Sequence, residues 1–167
     1  MRCGLAAGIE LERPLLRRLR GELIKAEALT VAARSLRQRD LSRRRLEERL
    51  ERAGVAAGAR EEAVAALVEA GAVDDARLAV ARAATLAGRG WGDAAIAARL
   101  EGEGIPEAIA RVAIAELPSE TERATRASTA IADTRKAWTL LTRRGFALET
   151  LEAVLGPLDE DERGGLG

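Results

Sequence analysis

The chain repeats itself. Displaced by 50 residues against its own sequence, it brings Leu36, Arg39, Leu41, Leu46, Leu50, Gly54 and Val55 onto Leu86, Arg89, Trp91, Ile96, Leu100, Gly104 and Ile105. Further along, Ala63, Val64 and Leu67 meet Ala113, Ile114 and Leu117. A second displacement, of 55, brings Leu86, Arg89, Trp91, Ile96 and Leu100 onto Leu141, Arg144, Phe146, Leu151 and Leu155. A unit this short buries little apolar surface alone, so neighbouring copies must stack to complete one another's core. The pattern divides the 167 residues into a lead-in (1–25), two full repeats (26–72 and 73–118), a partial third (119–156) and an acidic, Gly-containing tail (157–167).

The apolar content decides what each repeat is made of. It comprises 36 Ala and 23 Leu against 8 Val, 7 Ile, 2 Trp and 1 Phe. Ala and Leu are strong helix formers, whereas strands favour β-branched and aromatic side chains. The expectation is an all-α protein of tandem three-helix repeats. Helix A of each copy, rich in Ala and ending in a basic turn, is expected over 26–37, 76–87 and 123–142. Helix B carries Leu46, Leu50 and Ala53, or Ile96 and Leu100, on one helical face. Ser42 suits its N-cap, and Gly54 and Gly104 suit the left-handed position past its end. Helix C is expected over 60–70 and over 106–116, the latter opened by Pro106. Leu46, Leu50, Leu67, Ile96, Leu100, Ile114, Leu117, Leu151 and Leu155 are the expected core. Leu41, Trp91 and Phe146 share a repeat position that reads as a keystone between helices A and B, with ligand stacking as the other reading.

Absent residue types exclude whole chemistries. There is no His and no Tyr. That removes Ser-His-Asp and Cys-His nucleophile pairs and every His-containing zinc site. Cys3 is the only cysteine, which suits a reducing cytoplasm and forbids an intrachain disulfide. No apolar run reaches the length of a membrane span or a signal peptide. No Gly-rich phosphate loop is found. The expectation is a cytoplasmic monomer with no catalytic residue, metal or cofactor, and no membrane contact.

The formal net charge of zero hides a segregation. Residues 1–60 carry 15 basic and 8 acidic side chains, and residues 61–122 carry 5 and 12. Residues 123–155 carry 6 and 3, and the tail from 156 carries 1 and 4. Such blocks give different surfaces different partners. Of the 27 basic residues 25 are Arg, the side chain suited to carboxylate and phosphate.

Four groups of residues are candidates for partner contact. Arg39, Arg89 and Arg144 recur at one repeat position, either closing a helix C-terminus or forming a spaced row of charges. Arg45, Arg49 and Arg52 fall on one stripe of helix B, with Glu48 four residues before Arg52. Arg43 and Arg44 thicken that patch into the best candidate for a contact surface. Arg143, Arg144 and Phe146 combine charge and an aromatic at a turn that Gly145 permits. Asp74 and Asp75, by contrast, sit where a helix N-cap is needed.

The same residues carry a resemblance. Arg39-Asp40-Leu41-Ser42 followed by Leu46 and Leu50 resembles the opening of the first repeat of the RecX family. The run Gly71-Ala72-Val73-Asp74-Asp75-Ala76-Arg77-Leu78 is similar to the family's entry into its second repeat. Gly90-Trp91-Gly92, Ile96, Leu100 and Gly104-Ile105 continue the match, and Arg143-Arg144-Gly145-Phe146 is similar to the turn of the third. Gly4-Leu5 through Gly8 to Leu11 is like the family's N-terminal approach, so the likeness covers about residues 4–155. Leu78 departs from a common aromatic, and Leu86 stands where many members carry Arg. The resemblance implies a crescent-shaped, all-helical, non-enzymatic protein. It also implies binding to the RecA filament on single-stranded DNA, with inhibition of its ATPase, recombinase and co-protease activities in DNA repair and the SOS response. The alternative is a helical module that binds nucleic acid directly through the basic first third.

Overall fold

The structure, a computed structural model, describes residues 12–157. The lead-in match at Gly4–Leu11, Cys3 and nearly all of the acidic tail lie outside the described residues. Among the described residues every regular element is an α-helix. In chain order these are α1 (Arg13–Leu36), α2 (Arg43–Arg52), α3 (Ala57–Glu69), α4 (Asp75–Gly88), α5 (Asp93–Gly102), α6 (Glu107–Ala115), α7 (Glu120–Ser128), α8 (Thr134–Arg143) and α9 (Leu148–Leu155). The all-α class read from Ala and Leu is the one observed.

Two helices differ from expectation. α1 reaches back to Arg13, through residues assigned to the lead-in. Arg, Leu, Glu and Lys there are all good helix formers, and Pro14 occupies the first turn, where it removes no hydrogen bond. The single helix expected over 123–142 is instead two. α7 opens on a capping box in which Ser119 and Glu122 bond reciprocally. It ends where the Ser128 and Thr129 hydroxyls both donate to the Thr125 carbonyl, competing with the backbone ladder. Asp133 then caps α8 by accepting from the Lys136 amide.

The chain forms two compact units, the first comprising residues up to Asp40 and Arg45–Val73, the second Leu41–Arg44 and the residues from Asp74 on. In the first, α1 packs on α3 and buries Ala28, Ala32, Ala63 and Val64. Leu46 and Leu50 of α2 are also fully buried. In the second unit, α4, α5 and α6 enclose Leu78, Ala79, Ala83, Ile96, Leu100, Ile105, Ala110 and Ala113. The helices α7, α8 and α9 enclose Ala124, Trp138, Leu141, Phe146 and Leu151. Of the expected core, Leu46, Leu50, Ile96, Leu100 and Leu151 are buried, whereas Leu67, Ile114 and Leu155, toward helix ends, and Leu117, past the end of α6, are half-buried.

Backbone conformation recurs with the sequence. Gly54, Gly104 and Gly156, past α2, α5 and α9, have φ of 79°, 80° and 80°. Gly90 and Gly145, past α4 and α8, have φ of 76° and 77°. The residue matching them after α1 is Asp40, which has no positive φ. Lacking glycine there, α1 ends without a left-handed turn, on Arg37 in a right-handed conformation.

The α8 cap gives a pH-dependent expectation. The Lys136 amide hydrogen bond holds the Asp133 carboxyl below its ordinary value of 3.8. A lowered folded-state pKa means that the cap stabilises α8 above that value and is lost as pH falls through the folded midpoint. A carboxyl titration followed by nuclear magnetic resonance should place Asp133 below 3.8; a midpoint at or above it contradicts the cap.

Candidate functional site

The predicted arginines divide between the two units. In the first, Arg39 is exposed in the turn after α1, and Arg45 is exposed on the first turn of α2. Arg45 pairs with Glu48 at 2.8 Å, and Arg52 reaches the same carboxylate at 3.7 Å. These are surface pairs that hold geometry more than they add stability. Arg49 departs from expectation. It is half-buried, and its guanidinium donates to Ser35 Oγ at 2.9 Å and to Gln38 Oε1 at 3.3 Å. Two polar partners lie within its reach, so Arg49 ties α2 to the end of α1.

In the second unit Arg43 and Arg44 are exposed, on a segment that is firmly seated. The Arg43 amide donates to Asp75 Oδ1 at 2.8 Å, and the Ser42 hydroxyl donates to the Glu103 carbonyl at 2.6 Å. A Cβ on Gly104 would lie 3.1 Å from both Ser42 Oγ and Arg44 Cβ. Asp74 caps α4 through the Arg77 amide at 2.9 Å, as expected of it. The adjacent aspartates therefore have separate structural tasks.

Arg89 and Arg144 are the C-cap residues of α4 and α8, and the structure brings them close. The Arg144 guanidinium lies against Gly90, with Nη1 3.0 Å from where a Cβ would stand. Arg89, the residue before Gly90, is exposed. Backbone meets backbone next to them. The Gly92 amide donates to the Arg144 carbonyl at 2.8 Å, and the Ala94 amide to the Gly145 carbonyl at 3.3 Å.

Phe146 is 5% exposed, in the core with Trp138, Leu141 and Leu151, as the keystone position predicts; its place among the partner contacts is corrected, because the ring is not offered to a partner. Trp91 is 36% exposed, although its repeat mates Leu41 and Phe146 are buried. Its carbonyl accepts from Arg123 and the following amide is held by Arg144, which seats Gly92 inside and leaves the wide indole at the surface.

Three features escaped the sequence. Arg123 is 4% exposed. It donates to the Pro118 carbonyl at 3.0 Å and the Trp91 carbonyl at 2.7 Å, pairs with Asp93, and lies 6.0 Å from the centre of the Phe146 ring. Glu120 accepts from the Asp93 amide at 2.8 Å, from the Ala147 amide at 3.2 Å and from the Thr150 hydroxyl at 2.8 Å. It thereby closes the starts of α5 and α9. The third feature is a shallow surface cleft of about 390 Å³ lined by Asp133, Arg135, Lys136, Thr139, Leu140 and Arg143. Its signal was available. Those α8 residues fall one, four or five and eight positions apart, a single helical face that puts Arg143 with two further cations.

Among the described residues no three His, Cys, Asp or Glu side chains gather as a metal site requires. No helix among them is long and apolar enough to cross a membrane. Short helices packed around alanine-rich interfaces, with exposed arginines at the turns, define an all-helical protein. No family model and no curated protein matches the sequence. Among solved structures the fold is similar to that of RecX from Lactobacillus salivarius, at 16% identity and a TM-score of 0.71, covering 79% of this chain and 94% of that one. It is likewise similar to the crystal structure of a regulatory protein RecX, at 18% identity and a TM-score of 0.75, covering 90% and 82%. At these identities the likeness is one of fold.

Proposed function

We propose that this chain is a RecX-type regulator that binds the RecA filament on single-stranded DNA and slows its ATP hydrolysis. The observation carrying this reading is the fold likeness to two RecX structures across most of both chains, on a sequence whose turn motifs resemble that family in order. Fold alone does not assign function, so the reading also needs a surface for the partner. Exposed Arg39, Arg43, Arg44, Arg45, Arg89 and Arg143 supply charges suited to an acidic protein surface. Arg49 and Arg144 are half-buried, each within its own unit, and the protein acts in the cytoplasm as a regulator without catalytic chemistry of its own.

The test is a titration of RecA ATPase on single-stranded DNA, with binding to naked DNA measured alongside. The parent is expected to slow hydrolysis and to prefer the filament. Arg43→Glu combined with Arg45→Glu should weaken filament binding about tenfold or more while leaving helicity intact. Arg49 is left untouched because its reversal would also break its contacts with Ser35 and Gln38. The second reading, direct nucleic-acid binding, draws on the cationic α8 cleft at Arg135, Lys136 and Arg143. It requires equal, steeply salt-dependent binding to naked DNA with ATPase unchanged.

A further inference from the structure

The first helix carries two apolar stripes. Ala28, Ala32 and Ser35 are its buried residues, on the side where α1 packs on α3. Leu19, Leu23 and Ala26 precede these three by nine positions each. Nine residues are about two and a half turns, so they point the opposite way. They belong to a seam of Leu16, Leu19, Leu23, Ala26, Thr30 and Ala33, in alternating steps of three and four. None of the six is buried, and Leu23 is 60% exposed. Such spacing is the knobs-into-holes pattern of a two-helix contact.

We propose that this seam pairs with the same seam of a second copy of the chain, the two α1 helices lying antiparallel and fully overlapped. Three observations select this occupant. First, the seam is large in one half and small in the other. Full antiparallel overlap sets Leu16 against Ala33, Leu19 against Thr30 and Leu23 against Ala26, and the two-fold axis repeats each layer, so every leucine meets a small residue. Secondly, the same register places Arg20 beside Glu27 of the second copy, twice, next to the centre of the seam. The like-charged Arg13 and Arg34 meet only at the outer ends, where solvent screens them. Thirdly, the Thr30 hydroxyl already donates to the Ala26 carbonyl at 2.8 Å, so burying it strands no donor. A two-fold contact requires this kind of self-complementarity. An anionic bilayer fits less well, because the exposed Glu22 and Glu27 border the stripe.

Sedimentation of the full-length chain from low micromolar to several hundred micromolar tests the pairing. The mass should move from 17.8 kDa toward twice that value. Leu19→Glu with Leu23→Glu should hold the mass at the monomer value without changing the circular dichroism. Arg20→Glu alone, or Glu27→Arg alone, should weaken association about tenfold, and mixing the two variants should restore it. A parent that stays monomeric throughout overturns the proposal. So does a dimer that survives the leucine changes, or charge variants that fail to recover on mixing. If the parent is monomeric and the leucine variants instead lose binding to RecA filaments or to anionic vesicles, the seam belongs to that partner. The filament reading is untouched by a monomeric parent, since its own test is ATPase inhibition.

Discussion

Gly92→Ala is expected to cost about 3 kcal/mol or more of stability. The backbone at Gly92, with φ of −81° and ψ of 168°, is one any residue adopts, so conformation is not the obstacle. Space is. A Cβ there would stand 2.2 Å from the Gly145 carbonyl oxygen and 2.3 Å from the Phe146 nitrogen. Both are backbone atoms, fixed by the left-handed turn at Gly145 and by the burial of Phe146. Relief requires the strands of backbone to part, which breaks the Gly92–Arg144 hydrogen bond and loosens the core around Phe146. Gly88→Ala is the matched control. It adds the same methyl within α4, where nothing lies within 4 Å, and should be neutral or stabilising by up to about 1 kcal/mol. Urea denaturation of the two variants checks the contrast, and equal midpoints would refute the close approach.

Arg123→Leu should cost about 3 kcal/mol, the lower end of the range for breaking a buried ion pair. The low end applies because the Asp93 side chain is 43% exposed and regains water once its partner is gone. The Pro118 and Trp91 carbonyls lose a charged donor in the same step. Arg123→Lys should recover only part of the loss, since one ammonium on a flexible stem cannot match a planar fork aimed at three acceptors. A double-mutant cycle with Asp93→Asn, by chemical denaturation, isolates the pair. A coupling near zero would show that Arg123 acts through its carbonyl contacts alone.

Local signals were the legible ones. Ala and Leu content set the class, Asp74 announced the cap of α4, and Gly54 and Gly104 marked helix ends with positive φ. Each depends on neighbours within a turn. What stayed hidden depends on distance along the chain. The carboxylates of Asp75 and Glu120 bond amides 32 and 27 positions away, a separation no window on the sequence contains. Arg123 counts as a solvated charge in any periodicity, and only the convergence of the Asp93 carboxylate with the Pro118 and Trp91 carbonyls makes its burial tolerable. Arg39 and Arg89 stand out by repeat position, Arg43, Arg44 and Arg45 by the patch on one helix and Arg143 by its turn, whereas Arg49 serves packing, which its place on the same stripe does not reveal. The leucines of Arg13–Ile24 lie before residue 26, where the repeat pattern starts the first helix, so that pattern does not contain their seam.

The reach of those two carboxylates imposes an order on folding during synthesis. Asp75 opens α4 and satisfies the amide that begins α2; Glu120 opens α7 and satisfies the amide that begins α5. In both cases the finishing group is made after the helix it finishes. A chain emerging from the ribosome presents its amino end first. Each earlier helix must therefore wait, its first turn still open to water, until the next stretch of chain has left the exit tunnel and closed it.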